Sequence, residues 1–274
     1  MSFVLPLTLA LYIVSGFFSL VHSARRDLAA VRRFSLVALS AGMVANALWI
    51  VTRWHSLGHP PFAEIEGCLV LLALCVAMVS LTLELRGEVR FVGGLSSLAA
   101  AGVLVVGSRY AGESRPLLPA LQSPYFAPHV LSYFIAYGAL TVSGVASVVY
   151  LAARGMRRRS EVGEGNFLDG VETWILRSAR IGFPFLTLGL VLGALWAQAA
   201  YTDYWSWDPK EVWALITWLV VAGWFHLWRA GRRGVLMAAM MVLAAGALYF
   251  TLFGVNFLPT AQQSLHTYIE SSGP

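Results

Sequence analysis

The sequence predicts an all-α fold, a polytopic membrane bundle of about eight transmembrane helices with both termini outside. Three observations carry that reading. Of the 274 residues, 58% are hydrophobic and only 12% are charged, where soluble domains hold roughly 45–50% and about 25%. The apolar residues gather into eight stretches, each close to the ~20 residues that a helix rising 1.5 Å per residue needs to cross the hydrocarbon. Basic residues crowd into alternate loops, the pattern that fixes orientation during insertion. This composition excludes a soluble enzyme. A net charge of +5 with a pI near 9.5 does not indicate nucleic acid, because the charges punctuate the apolar runs and form no single basic face.

The stretches lie at about 3–22, 34–52, 64–85, 91–108, 129–153, 181–200, 210–228 and 235–255. The first reads as an uncleaved span, although Val21-His22-Ser23-Ala24 has the look of a cleavage site. No basic residue precedes its apolar run and Arg25-Arg26 follow it, the opposite of a secretory signal. The second to sixth are separated by connections of unequal length, and the fourth is rich in Gly and Ser. The seventh opens in the charged sequence Asp208-Pro209-Lys210-Glu211. The longest hydrophilic connection is expected to be an inner loop over residues 154–180. A helix satisfies its own backbone in lipid, so each stretch reads as helical.

Between the spans, one set of loops carries 15 of the 19 basic residues, from Arg25 to Arg233, and the other carries Arg53, Arg109, Arg115 and Lys210. Acidic residues divide evenly, so the bias belongs to Lys and Arg alone and places both termini outside. The expected site is the inner membrane of a bacterium, with the outer loops facing the periplasm or the cell exterior. No repeat or soluble domain is visible, and residues 1–274 read as one membrane domain. Cys68 and Cys75 form neither a CxxC pair nor a disulfide framework. Gly189 and Gly193 have the spacing of a generic close-packing motif.

Chemistry must then reside in polar groups of the bundle. Six histidines are candidates: His22 at the inner end of span one, His55 and His59 in an outer segment, His129 at the outer start of span five, His226 within span seven near its inner end, and His266 in the outer tail. His55 and His59 form an isolated HxxxH, weak as a metal pair. The outer segment 196–213, between spans six and seven, reads WAQAAYTDYWSWDPKEVW. Trp and Tyr at such a level commonly anchor helices at the interface. Here Tyr204, Trp205 and Trp207 adjoin Asp208-Pro209, a pair suited to cap and open a helix, which would fix the aromatics on a rigid corner. Broad apolar faces with few rotatable bonds suit a flat ring system such as a porphyrin.

The run from Trp205 to Trp213 resembles the tryptophan-rich WWD signature of the heme-handling membrane proteins that assemble c-type cytochromes. Pro119 to Ser123 with His129-Val130 resembles the first outer histidine motif of their CcsA (ResC) branch, His226 its intramembrane histidine, and Leu265-His266-Thr267-Tyr268 its second outer histidine. The resemblance covers most of the chain from Gly58 onward. Tyr201-Thr202 stands where the family often has Trp-Gly, and the segment Gly58 to Glu66 matches its family motif only loosely.

The resemblance implies a system II cytochrome c biogenesis subunit that binds heme b as substrate and ligand. It would present the heme on the outer face and support its thioether attachment to the CxxCH motif of apocytochrome c. His129 and His266 would be axial ligands from opposite faces, and His226 a ligand to heme on its way outward. Trp196, Tyr204, Trp205, Trp207, Asp208 and Trp213 would frame the ring. Holocytochrome c synthase activity is implied only together with a CcsB/ResB-type membrane subunit, which would supply the partner of His226, and with thiol-disulfide reductants for the apocytochrome. For the heme propionates, Arg109, Arg115 and Lys210 are candidate partners. His22 is a weaker candidate ligand, since a lone histidine at a helix end is more often structural. A HemX-like protein that supports tetrapyrrole synthesis without joining heme to protein is the alternative. A proton-linked transporter fits poorly, because few ionisable groups lie at span centres.

Overall fold

The computed structural model describes residues 3–25, 28–86, 89–112, 117–157 and 165–258. Among them every regular element is helical: α1 (Val4–Ala24), α2 (Ala29–Leu57), α3 (Ile65–Arg86), α4 (Arg90–Gly107), α5 (Phe126–Arg157), α6 (Gly165–Tyr201), α7 (Pro209–Arg229) and α8 (Val235–Leu252), with three short 3-10 turns. All eight are long and apolar enough to cross a membrane, as the hydropathy pattern predicts. α5 is the central helix, packed on α3, α6 and α8, while α1, α2 and α4 form a group that joins the rest mainly through α3, with α4 also touching α5. Apolar side chains such as Phe17, Val37, Val44, Leu188, Leu219 and Leu243 are exposed on the outer faces, as expected where the surrounding solvent is lipid.

The interior of α1 shows what holds such helices together. Thr8, Tyr12, Ser15, Ser19 and His22 recur every three or four residues and are buried. That stripe faces its neighbours and hides polar groups from lipid, where helix association depends on close packing and hydrogen bonds. Ser35 Oγ donates to the Ser15 carbonyl at 2.9 Å, and Asn46 Nδ2 donates to the Tyr12 hydroxyl at 3.1 Å.

One expectation is overturned. The region 154–180, read as a loop, is mostly helix: α5 continues to Arg157 and α6 already begins at Gly165. Charged residues such as Asp169, Glu172, Arg177 and Arg180 depress the hydropathy without interrupting helical periodicity. Leu168, Val171, Trp174, Ile175 and Ala179 are buried at helical spacing, the signature of an amphipathic turn extending beyond the apolar span.

Candidate functional site

At the end of the bundle where α5 and α7 begin, an open-mouthed cavity of about 1110 Å³ lies among α3, α5, α6, α7 and α8. His129, in the first turn of α5, lines it together with Tyr133 and Tyr137, which lie four and eight residues further along one helical face. Tyr204, Trp205, Lys210 and Glu211 line it from the corner that joins α6 to α7, and Glu64 and Cys68 from the start of α3.

The His129 ring is positioned by α6. Its Nδ1 lies 2.9 Å from the Gly189 carbonyl oxygen. A carbonyl only accepts, so Nδ1 carries the proton, and in the neutral ring the lone pair is on Nε2. Metal-binding histidines are commonly oriented this way, by donation from the other ring nitrogen to a backbone carbonyl. The close approach needs Gly193: a Cβ there would fall 2.7 Å from His129 Cε1. Gly189 does the same for Tyr133, whose ring would lie 2.8 Å from a Cβ. The Gly189/Gly193 pair, a generic close-packing motif on sequence grounds, is what seats the two cavity-lining rings. Trp196, one turn beyond Gly193 on α6, stacks with His129, ring centroids 5.9 Å and planes 16° apart. Its Nε1 donates to the Ala120 carbonyl at 2.8 Å, tying in the turn Pro119–Gln122.

The corner after α6 is built as its residues suggest. Asp208 caps α7 and accepts from the Lys210 backbone N–H at 2.8 Å, while Glu211 returns the bond to the Asp208 N–H at 3.1 Å. This reciprocal box, with Pro209 at the first helical position, satisfies donors that a helix start otherwise leaves open. Glu211 also accepts from the Ser206 N–H at 2.9 Å, which locks the Trp205–Trp207 stretch onto the helix. Thr202 and Trp207 have φ of 69° and 59°, a left-handed conformation that non-glycine residues seldom adopt and that clusters at functional sites. Asp208→Ala should cost about 1 kcal/mol, a fall of roughly 2–4 °C in the unfolding midpoint for a protein of this size. A scanning thermal denaturation checks it.

The predicted site residues separate into groups. His129, Tyr204 and Trp205 come together in the cavity wall, with Trp196 buried behind His129. Asp208 is 6% exposed and acts as the cap. Trp207 is 71% exposed and is not part of the wall, and Trp213 packs on Phe250 of α8 at 4.3 Å. His226 lies in the last turn of α7, about 24 Å along the helix from Lys210, with an exposed side chain. His266 and Arg115 lie outside the described residues. Arg109 lies in the turn that follows α4, and of the two described candidate carboxylate partners, Arg109 and Lys210, Lys210 lines the cavity. Tyr133, Tyr137 and Cys68 were not legible as wall residues. Glu64 pairs with Arg53 at 3.1 Å, which gives its loosely matching segment a structural role.

A family model described as cytochrome C assembly protein matches residues 62–262. The chain belongs to the cytochrome c assembly protein family. It is 32% identical over 233 residues to the cytochrome c biogenesis protein CcsA of Chlamydomonas reinhardtii, covering 81% of this chain and 64% of that relative. The CcsA of Gloeobacter violaceus is 31% identical over 313 residues, covering 89% and 90%. A solved structure of cytochrome c heme lyase CcmF superposes with a TM-score of 0.64 at 19% identity, covering 97% of this chain and 48% of that one, so the two share a fold. The chain thus spans less than two thirds of the algal relative and about half of the lyase. Family membership and eight candidate spans make it a multi-pass membrane protein.

Proposed function

We propose that the chain is a heme-handling subunit of cytochrome c maturation, which holds heme b in the cavity beside His129 and presents it to the CxxCH motif of apocytochrome c. The observation that carries this reading is the His129 ring, proton fixed on Nδ1 by the Gly189 carbonyl, in the wall of a large, mostly apolar cavity shared with Tyr204 and Trp205. Imidazole is a good axial ligand for heme iron, and the cavity is open at its mouth and lined mainly by apolar side chains with a few polar groups, as ligand pockets are. Leu190, Ala194, Leu252 and Phe253 supply apolar wall, and Lys210 a cation suited to a propionate.

In this reading His266 ligates the opposite face of the iron, and the cavity faces the periplasm or cell exterior. The protein's part is positioning. Each thiol adds across a heme vinyl group, sulfur to one carbon and hydrogen to the other, so no oxidant or leaving group is required. The histidine of CxxCH then replaces one protein ligand and the product departs. His226, exposed near the far end of α7, takes heme within the membrane, with its second ligand from a CcsB/ResB-type subunit docked on that helix. Thiol reductants keep the apocytochrome reduced.

The test is coexpression with a CcsB-type subunit and a reporter apocytochrome in a bacterial strain without its own maturation system. Covalent heme on the reporter, detected after denaturing electrophoresis, is expected. Heme on the membrane protein without any on the reporter would instead favour a HemX-like role. The proposed orientation makes a further prediction: alkaline phosphatase fused after Pro274 should be active, and fused within residues 158–164 inactive.

A further inference from the structure

From His129 the axis of α5 runs about 30 Å to Val149, at the opposite end of the bundle. There Leu20 of α1, Phe91 and Leu95 of α4, Val149 and Met156 of α5 and Phe167 of α6 line an apolar cleft of about 1200 Å³. One side of it is formed by His22 and Arg90. These two residues also wall a small polar pocket with Ser19, Arg32 and Glu84, with room for a group about the size of one water molecule. A polar pocket and an apolar cleft therefore meet at the His22–Arg90 contact, where Arg90 Nη1 donates to His22 Nε2 at 2.6 Å.

Glu84 is the unusual member. It is 4% exposed, and nothing in the proposed heme chemistry uses it. Its Oε1 accepts from Ser19 Oγ at 2.6 Å, but its Oε2 is buried with no hydrogen-bond partner among the described residues. Such an oxygen is costly to leave unsatisfied. α4 closes on the carboxyl so tightly that a Cβ at Gly93 would lie 2.7 Å from Glu84 Cδ. The pocket thus offers an acceptor for a compact donor, two guanidinium groups for an anion, and an adjoining apolar cleft for a hydrocarbon body.

We infer that this pocket and cleft bind a phospholipid with a primary ammonium headgroup, a phosphatidylethanolamine. The ammonium donates to Glu84 Oε2, the phosphate accepts from the Arg90 and Arg32 side, and an acyl chain lies along Phe91, Leu95 and Val149. Bulk and charge discriminate among headgroups. A trimethylammonium has no N–H to give Glu84, and glycerol brings no cation to the carboxyl. Basic pockets between spanning helices are known hosts for lipid phosphates; the added carboxyl is what selects an amine.

The test uses the full-length purified chain, stripped of endogenous lipid in detergent. It is titrated with dioleoyl phosphatidylethanolamine, its mono- and dimethyl derivatives, phosphatidylcholine and phosphatidylglycerol, and bound lipid is counted by native mass spectrometry. One phosphatidylethanolamine per chain is expected, at least about tenfold tighter than phosphatidylcholine, the range for a hydrogen bond to a charged group. The largest drop should come with the third methyl. Glu84→Met, in which Ser19 keeps the Arg90 carbonyl as its acceptor, should abolish that preference, and Arg90→Gln should weaken all the phospholipids alike. Equal binding of the ethanolamine and choline lipids, phosphatidylglycerol binding as tightly as phosphatidylethanolamine, or a preference surviving in Glu84→Met would overturn the inference. If Glu84→Met does not fold, the wild-type headgroup series decides alone. None of these readouts depends on heme.

Discussion

Replacing His129 by Ala is expected to lower the yield of covalently matured reporter cytochrome at least tenfold while the membrane protein still accumulates. The lower bound is the loss of affinity seen when a group that merely orients a metal ligand is removed, about 10- to 100-fold; removing the ligand itself should cost no less. His129 is half-buried in the first turn of α5, so truncation leaves the α5 and α6 backbones in contact and removes little of the core. The measurement is heme stain on the reporter, normalised to the membrane protein on the same gel. Unchanged reporter heme would remove His129 from the site.

The second large effect is expected from a residue that offers no polar atom of its own side chain. Gly193→Ala puts a methyl group where the His129 ring now lies, 2.7 Å from Cε1 and 2.9 Å from Nδ1. The ring must move, and the bond from Nδ1 to the Gly189 carbonyl is lost. Heme affinity should fall about 10- to 100-fold, with helical content by circular dichroism retained. Gly102→Ala is the matched control, since a Cβ there meets open space and heme binding should be unchanged. Wild-type affinity in Gly193→Ala would show that α6 does not aim the ring.

Much of this was legible in the sequence because it rests on local pattern. Eight apolar runs give eight helices, since each must satisfy its own backbone in lipid. Asp208-Pro209-Lys210-Glu211 announces the cap at the start of α7, because a capping box involves residues three apart. The illegible parts depend on register between distant segments. Gly189 and Gly193 face His129 and Tyr133 across some 60 residues of chain, and no spacing rule reports which glycine meets which ring. The start of α6 was hidden for a different reason: burial at every third or fourth position from Leu168 to Ala179 is periodic but not apolar enough to read as a span. Trp207 was grouped with Trp205, yet its left-handed backbone leaves its ring exposed, and few non-glycine residues adopt that conformation without a local cause such as the Glu211 lock on Ser206.

The central claim, a heme clamped at the His129 cavity with a separate site at His226, is tested most directly by absorption spectra. Oxidised and dithionite-reduced spectra would be taken for the wild type, His129→Ala, His266→Ala and His226→Ala, each copurified with a CcsB-type subunit. A six-coordinate heme spectrum in the wild type is predicted, weakened by either of the first two substitutions, with His226→Ala removing a distinct further fraction of bound heme. A wild type that matures cytochrome yet carries no heme, or spectra indifferent to all three histidines, would contradict it.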